Sequence, residues 1–376
     1  MRTETADVIV VGAGIVGCAC AHSLADRGLK VRVFDCGDLA EGASGACEGF
    51  LSLQSKAPGE ALAMARQSVA EYRTLGERLR ADVEFRPTGG MTVLADAAFL
   101  AGASDLAGAL DAAGVRAEVL PPEDALALAP PLSPRIVGAI YCPEEGLVNP
   151  WSVVRAYAAS AARHGAAFTL HTRVERLLTS RGRVTGVLTH GVGPSARGSG
   201  AVERWEAGLV VLAAGLDCAR LGRDLGLDIP VRPRRGQVLV TEKAPAMLGP
   251  FLLGPSYVSS KLGPGTPEGG AELAVAQTAA GNFLIGGTRE FVSEDHGTRP
   301  AGMAAIAREA CELVPGIAPL AVIRAFAGLR PHADRHVPII ERCADPAGLI
   351  IATGHGGDGV CLAPATGKRV ADLAAA

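Results

Sequence analysis

The sequence predicts an α/β protein in two parts. One is a parallel-sheet, dinucleotide-binding domain that is discontinuous along the chain, and the other is an inserted α+β domain with a mainly antiparallel sheet. Three observations predict this. Residues 8–35, VIVVGAGIVGCACAHSLADRGLKVRVFD, read as strand, glycine-rich turn, helix and second strand. Two more strand-to-glycine turns follow far downstream, VVLAAG at 210–215 and GLIIATGHGGDGVCLAPATGKRVADL at 348–373, the latter running on into a helix. Between them, residues 236–290 alternate in the manner of strands, interrupted by a loop at 262–270.

The first unit is justified residue by residue. The apolar run Val8–Val11 suits a buried parallel strand. Gly12 allows a tight turn, Gly14 lets the backbone approach a pyrophosphate, and Gly17 lets the helix pack on the strand. The helix that follows points its free N–H groups and positive dipole end at the phosphates. Gly28 ends that helix, Val31 and Val33 begin the next strand, and Asp35 closes it where a carboxylate can hold ribose hydroxyls. No arginine follows Asp35 to take a 2′-phosphate, which argues against NADP.

The middle of the chain gives a second small-residue segment, GASGACEGF (42–50), then a long helix around 58–80. VEFRPTGGMTVLAD (83–96) reads as a hairpin punctuated by Pro87 and Gly89-Gly90. The alanine-rich stretch 97–130 reads as two helices, and 146–165 as another with Asn149 as N-cap and Pro150 in its first turn. Strands are expected around 167–176 and 182–190, with a flexible hairpin tip at 191–203.

Composition narrows the function classes. At 376 residues the chain has room for roughly two or three domains. A formal charge of −3 argues against a nucleic-acid partner. No apolar stretch reaches the length of a membrane span, and the N-terminus runs into a strand without a signal-peptide pattern. The nine cysteines show no C-x-x-C pair and no framework spacing, which reads as reduced thiols in the cytoplasm. No His/Cys cluster has ligand spacing, so no metal is expected.

The order and spacing of ten segments resemble the D-amino-acid-oxidase-like FAD-dependent oxidoreductases over essentially the whole chain. These segments are residues 12–35, GASGACEG (42–49), TGGM (88–91), GLVNP (146–150), VVLAAG (210–215), PVRPRRGQ (230–237), GNFLIGGTRE (281–290), FAGLRP (326–331), VPII (337–340) and GHGGDGVCLAPATGK (354–368). The family includes glycine oxidase, sarcosine oxidase and the flavin subunits of hydroxyproline, proline and opine dehydrogenases. The resemblance implies a Rossmann-like FAD-binding domain made of 1–82, 146–228 and 325–376, with a substrate domain made of 83–145 and 229–324.

It also implies roles for individual residues. Gly12, Gly14, Ile15, Val16 and Gly17 form the pyrophosphate turn, and Asp35 with Cys36 meets the adenosine ribose. Ala43, Ser44, Gly45 and Gly49 lie along the diphosphate and ribityl chain. The backbone of Val174 meets the adenine, and Ala214, Gly215 and Gly328 lie against the nucleotide. Gly354, Gly356, Gly357, Asp358, Gly359 and Val360 present their turn to the ribityl chain and the pyrimidine end of the flavin. Arg330 matches an arginine that forks onto a substrate carboxylate, a structural ion pair being its other reading. Tyr257 matches a tyrosine over the flavin face in glycine oxidase, within a Y-x-x-x-K segment, a core tyrosine being its other reading. His355 and Glu48 are placed beside the pocket, in packing or capping roles or lining it.

Departures refine the expectation. Gly357 stands where glycine oxidase carries an arginine, which lowers that reading. The cysteine that tethers flavin in sarcosine oxidases is missing near FAGLRP, so the FAD is expected to be non-covalent. NFLIGGTREF lacks the lysine those enzymes use for oxygen, which tilts toward a dehydrogenase. Glu341 follows VPII where relatives usually place glycine, and nothing in the sequence explains it. The expected reaction is oxidation of the C–N bond of an amino or imino acid, proline- or hydroxyproline-like or otherwise N-substituted, by hydride transfer to flavin N5 to give an imine. A peroxide-producing glycine or sarcosine oxidase and the flavin subunit of an opine dehydrogenase complex are the alternatives. The resemblance therefore allows partner subunits or a homo-oligomer.

Overall fold

The computed structural model describes residues 3–192, 202–257 and 271–376. Most of the expected hairpin tip at 191–203, and the expected loop at 262–270, lie outside them.

The chain begins β1 (Thr3–Val11), α1 (Ile15–Asp26), β2 (Val31–Phe34), β3 (Phe50–Leu51), α2 (Glu60–Leu79) and β4 (Gly90–Leu94). It continues α3 (Leu100–Ala112), β5 (Glu118–Leu120), α4 (Pro122–Leu128), β6 (Gly138–Cys142), β7 (Gly146–Leu147) and α5 (Pro150–Arg163). The next run is β8 (Ala167–Thr169), β9 (Thr172–Ser180), β10 (Arg183–Gly191), β11 (Glu203–Leu212), α6 (Asp217–Arg223) and β12 (Arg232–Lys243). Then come β13 (Phe251–Leu253), β14 (Ala271–Gln277), β15 (Asn282–Thr288), β16 (Glu290–Phe291) and α7 (Pro300–Leu313). Last are β17 (Val322–His332), β18 (Ile339–Arg342), β19 (Leu349–Thr353) and α8 (Gly359–Ala375).

Eight strands form the first sheet, in the order β18-β19-β11-β1-β2-β8 with β10 and β9 branching from β11. The pairs β19–β11, β11–β1, β1–β2 and β2–β8 are parallel. Val8 to Val11 are at most 5% exposed, as expected of a parallel strand covered on both faces. One cover is the helical layer of α1, α2, α5 and α8, and the other includes β9, β10 and α6. α1 is flanked by α5 and α8, so Cys18 and Cys20 are both fully buried although they point to different faces. At Gly17 a Cβ would stand 1.9 Å from the Gly12 carbonyl oxygen, so α1 can sit this close to β1 only with glycine there. Asn149 caps α5 as expected, its Oδ1 accepting the amides of Trp151 and Ser152.

The second sheet has nine strands in the order β16-β12-β15-β14-β13-β4-β6-β5, with β17 alongside β12. Every pairing in it is antiparallel except β4–β13. The mainly antiparallel second sheet expected from the sequence is therefore present. α4 and α7 pack on one face of it.

Local reading fails at one place and leaves two features unread. Residues 83–96 do not form a hairpin. Pro87 and the glycine pair leave 83–89 as loop, and β4 takes its partners β6 and β13 from elsewhere in the chain. The two helices expected over 97–130 are present as α3 and α4, with the short strand β5 between them. Finally, β17 runs along β12 from Val322 to His332 and joins the second sheet, whereas β18, next in the chain, joins the first. Among the described residues no helix is long and apolar enough to cross a membrane.

Candidate active site

The turns after β1, β11 and β19 all open at the carboxyl ends of parallel strands, where open α/β sheets place their ligands. They line one cleft of about 1700 Å³ that continues to the face of the second sheet. That exceeds the range of about 300–1,000 Å³ typical of a small-ligand pocket, and leaves room for a long cofactor and a substrate together.

At its first end the cleft is made of backbone. Gly12, Gly14, Ile15 and Val16 line it. Asp35 braces this turn: its Oδ2 accepts the Ala13 amide at 2.6 Å and its Oδ1 the Gly37 amide at 2.8 Å. Cys36 is exposed beside it. Ala43, Ser44 and Gly45 make one turn of 3₁₀ helix, from which Ser44 Oγ accepts the Ile15 amide at 3.0 Å. Gly17 and Gly45 do not line the cleft. The first lies beneath the turn, and the second packs under the Trp151 ring, whose Nε1 donates to its carbonyl at 3.1 Å. Gly49, Val174, Ala214, Gly215 and Gly328 complete the near wall. Thr353 Oγ1 donates to the Gly215 carbonyl at 2.9 Å and ties the second turn to the third.

That third turn carries Gly354, His355, Gly356, Gly357, Asp358, Gly359 and Val360, all at the cleft. His355 is buried and its Nε2 lies 3.0 Å from Thr366 Oγ1 on α8. Burial pushes its pKa down to about 4, so the ring is neutral at physiological pH.

Charged side chains dominate the far end. Arg330, on β17, donates from Nη1 to the Thr288 carbonyl at 2.9 Å, and its Nε lies 3.6 Å from the position a Cβ would take on Gly357. Burial holds its guanidinium below the ordinary arginine range, with the nearby Glu48 carboxylate opposing. Burial likewise raises the Glu48 carboxyl, against the pull of Arg330. Tyr257 lines the cleft, with Arg289 Cζ 5.7 Å from its ring centre. The lysine that completes Y-x-x-x-K, Lys261, lies outside the described residues.

The family model for FAD dependent oxidoreductases of the DAO type matches residues 7–373. The chain belongs to the DAO family. It is 28% identical to glycine oxidase of Geobacillus kaustophilus, across 99% of this chain and 93% of that one. The crystal structure of glycine oxidase from that organism superposes with a TM-score of 0.86, covering 99% of this chain and 95% of the other. It is 29% identical to an opine oxidase subunit of Rhizobium meliloti, over 93% of this chain and 89% of that one. L-proline dehydrogenase from P. horikoshii, at 23% identity and a TM-score of 0.86 over 99% of this chain and 94% of that one, shares the fold.

As a DAO family enzyme the chain uses FAD, and the cleft fits that cofactor. α1 and α8 both begin at it with no side-chain cap and no acidic residue in the first turn. Two positive helix ends therefore face ligand space, one suited to a pyrophosphate and the other to the electron-rich end of a flavin.

Sequence reasoning missed several residues that this DAO family site contains. Lys56 is buried, and its Nζ bonds Asp358 Oδ1 at 2.9 Å, the Ser52 carbonyl at 2.6 Å and Ser55 Oγ at 3.0 Å. Burial works against its charge, yet the Asp358 carboxylate overrides this and lifts the ammonium above its ordinary range. A lysine is thus present at the cleft, although NFLIGGTREF supplies none. Its only local signal is that it is the one basic residue in ACEGFLSLQSKAPGEAL (46–62). Beneath it, the buried Glu145 carboxylate accepts the amides of Leu53 and Gln54, the Ser52 hydroxyl and Gln54 Nε2. Arg234 and Arg289 were missed as well. Burial and the two neighbouring guanidinium groups, Arg289 and Arg330, lower Arg234 to about 10.

Proposed function

We propose that this DAO family member oxidises the C–N bond of an amino or imino acid, proline- or hydroxyproline-like or otherwise N-substituted, to the imine. The observation that carries the reading is Arg330. Its guanidinium sits at the substrate end of the cleft, alongside the third glycine turn, where a planar fork can grip a carboxylate. Bound FAD supplies the two-electron acceptor for the hydride that leaves the substrate Cα. The protein then needs to fix the carboxylate, hold the Cα–H bond in one orientation and keep water out. The neutral His355, engaged with Thr366, is a packing group on this reading, and Glu48 partners Arg330 until substrate arrives. No cysteine lies in FAGLRP, which supports FAD held without a covalent link. The free cysteines suit a reducing compartment such as the cytoplasm.

The relatives support the substrate class, since glycine oxidase and opine oxidase are named for amino-acid and opine chemistry. The opine oxidase relative is one chain of a multi-chain enzyme by its name, which supports a partner chain here.

One observation favours a second reading, an oxidase that passes electrons to oxygen. Dioxygen gains negative charge as it is reduced, and Lys56 places a protected ammonium at the cleft.

The visible spectrum of the purified protein tests both readings, repeated anaerobically with proline, hydroxyproline, sarcosine and glycine. Bleaching of the flavin band by one of them fixes the substrate, and peroxide release on admitting air selects the oxidase. No bleaching by any of the four removes the proline-like assignment.

A further inference from the structure

The antiparallel ladder between β12 and β17 sets Arg234 directly opposite Arg330, on the same face of the sheet. Like charges at that position repel and destabilise the pair unless something anionic lies between them. Both guanidinium groups nevertheless reach the same turn. Arg234 Nη2 lies 3.8 Å from where a Cβ would stand on Gly356, and Arg330 Nε 3.6 Å from that point on Gly357. Gly236 makes the arrangement possible, because a Cβ there would stand 2.1 Å from Arg330 Nη2.

The acids nearby are already engaged. Asp358 is held by Lys56 and Glu272 by Arg289, while Glu48 faces Arg330. Among the described residues Arg234 makes no ion pair of its own, although Glu272 and Asp358 both act on its charge from a distance, and its buried Nε meets no hydrogen-bond partner. A buried cationic donor left in this state is costly, and a ligand anion is what would satisfy it.

We propose that Arg234 forms a second anion subsite beside Arg330, so that the enzyme takes an amino acid bearing a second carboxylate. The inference rests on the carboxylate role assigned to Arg330 above. A substrate with one carboxylate would satisfy Arg330 and leave Arg234 unpaired. A dicarboxylate would neutralise both strands of the ladder.

Unreactive ligands isolate the point. The FAD-loaded protein is titrated with oxydiacetate against methoxyacetate, and with succinate against butyrate, following the flavin spectrum and the heat of binding. In at least one pair the dicarboxylate should bind about tenfold tighter than its one-carboxylate partner. The pair that shows it tells whether the second carboxylate sits across a heteroatom or along a carbon arm. Arg234→Met should bring the preference to within about twofold. Arg234→Lys, which keeps a charge, should retain part of the preference and guards against a folding artefact.

No preference in the unmodified protein, or a preference untouched in Arg234→Met, would overturn the subsite. So would tighter binding of inorganic phosphate than of either dicarboxylate. Failure of the underlying reading looks different. In that case Arg330→Met would leave the affinity for methoxyacetate and butyrate unchanged.

Discussion

At the nucleotide end of the cleft a ligand meets main-chain amides at two uncapped helix starts. At the other end, where the proposed substrate would lie, the cleft is lined by long charged side chains, among them Lys56, Arg234, Arg289 and Arg330. The first kind of surface is made by dihedral angles and close approach, so it exists as soon as the backbone folds. The second kind exists only when distant strands come into register, and it must then balance its own charge. Lys56 does this with Asp358 and Arg289 with Glu272. The two ends should therefore fail in different ways.

The largest effect is expected at the backbone end. Gly12 has φ near +110°, and a Cβ there would stand 2.4 Å from the Ala213 carbonyl oxygen. Gly12→Val should abolish the flavin absorption band, and a variant purified with a full complement of FAD would break the contrast. Next comes Arg330→Met, which should lower kcat/KM by about 100- to 1,000-fold through loss of a charge-assisted contact, with flavin content unchanged. Loss of flavin in that variant would show that the two ends are not separable.

His355 sits between them and gives a pH signature. Its folded pKa of about 4 lies below the ordinary value of 6.5, so its contribution is fully present above pH 6.5. It is lost as the pH falls from 6.5 toward 4, and it amounts to about 3 kcal/mol. His355→Gln should flatten unfolding free energy across that window, as read by denaturant titration at several pH values. The smallest effect is expected for Ser44→Ala, which removes the bond to the Ile15 amide. It should weaken FAD binding by about fivefold, or about 1 kcal/mol, without touching substrate KM.

The same contrast explains what could be read from sequence. The unit from β1 to β2, the cap Asn149-Pro150 and the final strand, turn and helix are local patterns, and each is where the spacing put it. Gly12, Gly14 and Asp35 lie at the cleft where the local pattern put them, because a turn carries its own chemistry, whereas Gly17 and Gly45 pack beneath it. Arg330 was legible through its segment GLRP, but its cross-strand neighbour Arg234 was not, since register is set by the whole sheet. Lys56 bonds a residue 302 positions away, and no local pattern encodes such a contact. The misread hairpin at 83–96 has the same origin, for β4 has good strand character and takes partners that lie far along the chain.

The eight-stranded sheet draws β1 from the beginning of the chain and β19 from close to its end, with β11 between them. The first glycine turn and the third, with α8, therefore lie at opposite ends of the sequence yet line one cleft. The three turns thus meet only through pairings between strands far apart in the chain. A FAD molecule lying across them would tie these distant segments together, so its binding energy would stabilise the whole discontinuous domain and not one local unit.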